Sequence, residues 1–75
     1  MPVTSVVVEV IEGVNEDLLG RIARIPRVNV FGMKGQQIVT VIEGDNVRDV
    51  EDVVRTILEI EGVIGVYPVY SGDYE

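Results

Sequence analysis

The sequence predicts an α+β fold in which a four-stranded antiparallel sheet carries two helices on one face. Four runs of β-branched and apolar residues alternate with two stretches whose apolar residues recur at helical spacing. These segments follow one another as strand, helix, strand, a tight turn, strand, helix, strand. With right-handed crossovers, this sequence of elements gives the strand order 4-1-3-2 and leaves both helices on the same side.

The first half of the chain contains two strands and one helix. The segment Thr4–Ile11 is rich in β-branched residues and predicts the first strand. Apolar residues at helical spacing predict a helix over Asn15–Arg24, with Asn15 as its N-cap. Pro26 ends this helix, and Arg27–Met33 is the second strand.

The second half begins with a hairpin. Lys34–Gln36 forms the tight turn, because its central glycine tolerates the backbone angle that such turns require. The third strand is Gln37–Glu43. A glycine then breaks the chain, and Asp45 or Asn46 caps a second amphipathic helix that runs to about Ile60.

The last strand lies in "GVIGVYPVY", Gly62–Tyr70, which is β-prone despite its proline. In the order 4-1-3-2 this strand is at an edge, where the missing N–H of Pro68 is tolerated. Gly62 or Gly65 indicates a bulge in this strand. The whole arrangement is that of the ferredoxin-like split βαβ fold, and we expect a single domain of this type over residues 1–75.

Composition excludes several classes of function. The chain has no cysteine and no histidine, so we expect no disulfide, no catalytic histidine, no metal site and no cofactor. Thirteen acidic against six basic residues give a net charge of −7, which argues against nucleic acid and favours a basic partner. No signal peptide or membrane span is visible, so we expect a cytoplasmic protein without membrane insertion.

The sheet face that carries no helix, called the open face below, is predicted to be apolar. Alternation along the strands directs one row of each strand toward the helices: Val6, Val8, Val10, Val28, Val30, Val39, Val41, Val66 and Pro68. The rows left on the open face supply the candidate binding residues Val7, Glu9, Phe31, Met33, Ile38, Thr40, Ile42, Tyr67 and Val69. Soluble monomers seldom expose an apolar surface of this extent, so we expect another chain to cover it.

Acidic residues without an obvious local partner gather mostly at strand ends: Glu9, Glu12, Glu43, Asp45, Glu61, Asp73 and Glu75. An apolar surface with an acidic rim suits a segment that carries apolar and basic residues together, such as an amphipathic helix. Phe31 and Tyr67 are the expected aromatic contacts, and Met33 is an adaptable one.

Four segments carry a resemblance to a known family: "SVVVEV" (Ser5–Val10), "IPRVNVFG" (Ile25–Gly32), "GQQIVTVIEGD" (Gly35–Asp45) and "TILEIEGVIGVYPVY" (Thr56–Tyr70). Together they resemble the NapD family of cytoplasmic assembly chaperones for the periplasmic nitrate reductase. The resemblance implies binding of the twin-arginine signal peptide of the molybdenum-containing catalytic subunit, which is held back from export until cofactor insertion. It also implies a helical peptide on the open face, with its arginine pair near the acidic rim.

Other functions share this fold and are weighed against the chaperone. An acylphosphatase needs an arginine phosphate cradle after the first strand, where this chain has Glu12–Asn15, so we expect no enzyme. The main alternative is a regulatory or oligomerisation module of the ACT or amino-acid-responsive type. Such modules pair their open faces, and Gly13 and Gly44 would then be loop sites for a small ligand. A weak homodimer is compatible with either function.

Overall fold

The computed structural model describes residues 3–13 and 16–69. The predicted element order is confirmed: β1 Val3–Val10, α1 Glu16–Ala23, β2 Val28–Lys34, β3 Gln37–Glu43, α2 Val47–Leu58 and β4 Val63–Pro68. Each predicted segment overlaps the observed one. The expected N-cap Asn15 and the acids Asp73 and Glu75 lie outside the described residues.

The four strands form one antiparallel sheet in the order β2-β3-β1-β4, which is the predicted order read from the other edge. Both helices contribute to one core with the sheet: Leu18 and Ile22 of α1 and Val53 and Ile57 of α2 are buried together with the helix-facing residues of β1. One face of the sheet is therefore covered by helices and the other is open.

The start of α2 is fixed by polar contacts. Asn46 is its N-cap, as expected, and the Asn46 Oδ1 atom accepts a hydrogen bond from the Asp49 backbone N–H at 2.9 Å. The Asp49 carboxylate accepts from the Asp45 N–H at 3.1 Å and forms an ion pair with Arg27 at 3.3 Å. These contacts tie the loop after β3 and the entry to β2 to the first turn of α2.

β3 presents its two rows of side chains the opposite way from the prediction. Ile38, Thr40 and Ile42 are 0% exposed and lie in the core, whereas Val39 is 43% exposed. The register explains this, because Thr40 stands opposite the helix-facing Val6, and directly paired residues share a face. The predicted placement of Ile38, Thr40 and Ile42 on the open face is wrong, since the larger isoleucines fill the core and both rows of this strand are apolar.

β2 contains a bulge that reverses the facing of its second half. Val30 pairs with Thr40 and Gly32 pairs with Val39, so Phe31 is the extra residue, and Phe31 and Gly32 together oppose Val39 on the open face. Beyond the bulge, Met33 pairs with the buried Ile38 and therefore lies on the helix side, at the margin of the sheet. The predicted placement of Met33 on the open face is wrong for this reason.

β4 has the predicted orientation. Val66 and Pro68 pair with the helix-facing residues of β1, and Tyr67 pairs with Val7 on the open face. The expected bulge is present, because Gly65 pairs with Glu9 and Val63 pairs with Val10, which leaves Ile64 as the extra residue. Within the described residues β4 has a sheet neighbour on one side alone, and because the Val69 N–H points to β1, the preceding Pro68 nitrogen points to the unpaired side, where no ladder bond is lost.

Candidate functional site

A row of side chains crosses the open face through all four strands. Val39 stands opposite Gly32 on one side and Val7 on the other, and Val7 stands opposite Tyr67. Phe31 lies beside Gly32 in the β2 bulge and is 72% exposed. This open-face row (Phe31, Val39, Val7 and Tyr67) has an aliphatic centre and an aromatic side chain at each edge of the sheet.

The apolar surface extends along the strands on both sides of the open-face row. Val41 stands opposite Asn29 and Ser5 in the next row, and the Val69 backbone N–H donates to the Ser5 carbonyl at 2.8 Å. Val69 is exposed, as is Ile64 in the β4 bulge. Covering these side chains would remove their exposed apolar surface from water, which is the main source of binding free energy at such surfaces.

One end of the open face carries a carboxylate bonded to an aromatic hydroxyl. The Tyr67 hydroxyl donates a hydrogen bond to Glu9 Oε1 at 3.2 Å. Glu9 stands opposite Gly65 in the pairing of β1 with β4. Glu9 is half-buried and stands opposite Gln37 on β3. The predicted Glu9 and Tyr67 therefore lie together at one corner of the open face.

The other end of the open face carries Glu43, opposite Val3 on β1. Its Oε2 atom accepts a hydrogen bond from Asn29 Nδ2 at 3.2 Å. Because Glu9 lies six residues beyond Val3 on the same strand, the backbones of Glu9 and Glu43 are about 20 Å apart along the strand direction, at about 3.3 Å per residue. The described part of the chain holds one ion pair, Arg27–Asp49, and neither open-face carboxylate takes part in it.

Two depressions lie away from the open face. A groove of about 870 Å3 runs along the helix side beside α2 and includes Gly44, and a smaller one of about 300 Å3 includes Gly13. Since β1 and β3 are antiparallel, the two glycines lie at opposite ends of the sheet. Gly44 is buried, and a Cβ there would lie 3.0 Å from the Asp49 Cβ. The loop sites named for the regulatory alternative are thus separate, and Gly44 is packed against α2.

The described residues contain no cluster of acidic, histidine or cysteine side chains placed to hold a metal ion. They also contain no helix long and apolar enough to cross a membrane.

Comparison with protein families gives a match to the family described as NapD protein over residues 1–73. The chain belongs to the NapD family. The resemblance carried by the four sequence segments is therefore confirmed. No curated protein sequence matches the chain significantly.

A solved structure with the NapD fold matches the whole described architecture. The solution structure of the E. coli Tat proofreading chaperone protein NapD aligns with a TM-score of 0.84 and 22% sequence identity, covering 99% of this chain and 80% of that chain. At this identity the likeness shows the fold, and it confirms the predicted α+β ferredoxin-like arrangement.

Five of the nine predicted site residues reach the open face of this NapD-family fold: Val7, Glu9, Phe31, Tyr67 and Val69. Met33, Ile38, Thr40 and Ile42 lie on the helix side. Val39 and Val41 were missed, because alternation alone gave them to the core. Gly32, directly after Phe31, is the sequence signal for the β2 bulge, since glycine inside a strand often marks one.

Proposed function

We propose that this protein is a cytoplasmic, non-enzymatic chaperone that binds the twin-arginine signal peptide of a periplasmic nitrate reductase catalytic subunit. It holds the precursor back from export until the molybdenum cofactor is inserted. Membership of the NapD family supports this function, as does the fold shared with a protein described as a Tat proofreading chaperone. The observation that carries the proposal is the uncovered apolar row on the helix-free face of the sheet.

The chemistry of the open face suits such a peptide. A twin-arginine signal joins a basic pair to an apolar stretch, and the open face joins an apolar row to carboxylates at its two ends. An amphipathic helix laid across Phe31, Val39 and Tyr67 would bury their exposed surface. Aromatic side chains that become buried when a partner binds are frequently hot spots, which carry a large share of the binding energy.

The binding site is tested by Phe31→Asp against a matched control. Phe31 and Val47 are equally exposed, at 72%, but Val47 lies on α2 on the other side of the sheet. We expect Phe31→Asp to weaken binding of a synthetic twin-arginine signal peptide by at least about thirtyfold, as for an aromatic hot spot of about 2 kcal/mol. Val47→Asp should leave the affinity unchanged, and isothermal titration calorimetry measures both.

Two results would contradict the proposal in different ways. Equal affinity for wild type and Phe31→Asp would remove the open face as the binding site. A wild-type protein that sediments as a concentration-independent dimer, with the open-face strands protected from hydrogen exchange and no affinity for the peptide, would favour the regulatory or oligomerisation module instead.

A further inference from the structure

We infer that Glu9 and Tyr67, placed over Gly65, form a subsite for one guanidinium group of the bound peptide. The inference rests on the proposed function, because it names the chemical group that one corner of the same face accepts. It adds that the subsite takes a single arginine and prefers arginine to lysine.

The position of Tyr67 depends on the absence of a side chain at Gly65. A Cβ atom built on Gly65 would lie 2.6 Å from the Tyr67 hydroxyl oxygen and 2.9 Å from its Cζ atom. The phenol therefore lies directly over the Gly65 backbone, in space that any other residue would occupy. Aromatic side chains are known to cover strand glycines in this way. Tyr67 remains 52% exposed, so part of its ring faces solvent and is free to contact a ligand.

Glu9 is an acceptor without a cation. One carboxylate oxygen accepts from Tyr67, and Glu9 takes part in no ion pair within the described residues. In the same row of the sheet, Gln37 stands next to it and Lys34 stands beyond Gln37. Lys34 is therefore two strands away, with the backbones about 10 Å apart, and within the described residues it forms no ion pair with Glu9. A half-buried carboxylate beside an apolar surface loses hydration when a ligand covers it. A cation on the ligand offsets this cost with a charge-assisted hydrogen bond.

A guanidinium group fits this corner better than an ammonium group. Its planar fork carries five donors, enough to bond the remaining Glu9 oxygen while its plane stacks on the exposed part of the Tyr67 ring. Arginine also gains from cation–π contact with an aromatic ring at low desolvation cost. A lysine ammonium is compact and strongly hydrated, so it would use the charge of Glu9 but less of the tyrosine.

The opposite corner does not offer a second subsite of this kind. Glu43 accepts its hydrogen bond from the Asn29 amide and not from an aromatic side chain on which a guanidinium could stack, and it lies about 20 Å from Glu9 along the strand direction. Adjacent arginines in a helix rise by only about 1.5 Å and point about 100° apart around its axis, so the two side chains do not align with carboxylates at the two ends of a strand. The face therefore recognises one arginine of the pair at Glu9 and leaves the other to solvent-exposed contacts.

Calorimetry with paired variants of protein and peptide tests the subsite. The proteins are wild type, Glu9→Gln, Tyr67→Phe and Tyr67→Leu, and the peptides carry the arginine pair intact, singly replaced by glutamine, or replaced by two lysines. We expect one single replacement to weaken binding about tenfold or more and the other less than about threefold. Glu9→Gln should cause a similar loss with the intact peptide and abolish the difference between the two singly replaced peptides. Tyr67→Leu removes the ring and should reduce the preference for arginine over lysine while preserving binding, whereas Tyr67→Phe keeps the ring and should keep that preference.

Matched controls separate local effects from general ones. Glu51→Gln removes an exposed carboxylate on α2, away from the open face, and should not change the affinity. Gly65→Ala should displace Tyr67 and weaken binding of the intact peptide, whereas Gly20→Ala on α1, whose added Cβ meets nothing within 4 Å, should leave the affinity unchanged.

The outcomes distinguish the subsite from the function as a whole. If wild type binds the peptide but Glu9→Gln weakens every peptide equally, the subsite is overturned and the chaperone function stands. Equal losses from the two single arginine replacements would overturn the single-arginine inference. A wild-type protein that binds no twin-arginine peptide overturns both.

Discussion

At the scale of single residues, two neighbours on β3 have opposite surroundings. Ile38 is fully buried beneath the helices, and Val39, the next residue, is 43% exposed on the open-face row. The stability of the fold should therefore depend on Ile38, and binding of the signal peptide should depend on Val39. This contrast allows the face assignment to be tested by substitutions at adjacent positions.

We expect Ile38→Ala to lower the free energy of unfolding by about 2–4 kcal/mol, because it leaves a cavity in the core. Val39→Ala should lower it by less than about 1 kcal/mol but weaken binding of the signal peptide, since Val39 lies at the centre of the open-face row. Urea unfolding and calorimetry measure the two effects.

Thr40→Val provides a control on the same strand. Thr40 is fully buried and its hydroxyl makes a long hydrogen bond of 3.5 Å to the Ile38 carbonyl, so this substitution should not change peptide affinity. A larger loss of binding for Thr40→Val than for Val39→Ala would contradict the observed register.

At the scale of the elements, the positions of helices and strands could be predicted, while the facing of two strands could not. The periods of 3.6 and 2 residues, with Pro26 and Asn46, are local signals, and they located every described element. The facing of β3 depends on which of two apolar rows packs more volume against the helices, which is a tertiary property. The bulge at Phe31 likewise moves Met33 from the open face to the helix side, although β2 begins and ends close to where the sequence predicts.

The N-cap of α2 is the local signal that can be tested most directly. Asn46→Ala removes the acceptor for the Asp49 N–H and should lower the free energy of unfolding by about 1 kcal/mol. Asn46→Ser keeps a capping oxygen and should change the stability by much less. Thermal unfolding followed by circular dichroism compares them, and equal losses for alanine and serine would contradict a capping role.

At the scale of the whole molecule, the two faces of the sheet separate stability from recognition. The helix-covered face contains the fully buried residues, and the open face contains exposed apolar side chains with a carboxylate at each end. The chain carries a net charge of −7, which repels acidic partners and attracts basic ones. The apolar row should provide most of the affinity, and the charge should determine which peptides are accepted.

This division predicts how binding of the signal peptide depends on salt. Exposed charges are screened over about 10 Å at 0.1 M salt and about 3 Å at 1 M, so affinity for the peptide with its arginine pair should fall as salt rises. The peptide with two glutamines should bind more weakly at low salt, and the difference between the two peptides should shrink at 1 M. Binding itself should persist there, because salt does not screen burial of the open-face row. Calorimetry across this range of salt measures the electrostatic part of the affinity, which salt weakens, and the apolar part, which persists. Affinity that is independent of salt for both peptides would contradict electrostatic selection, whereas complete loss at 1 M would contradict the role of the apolar row.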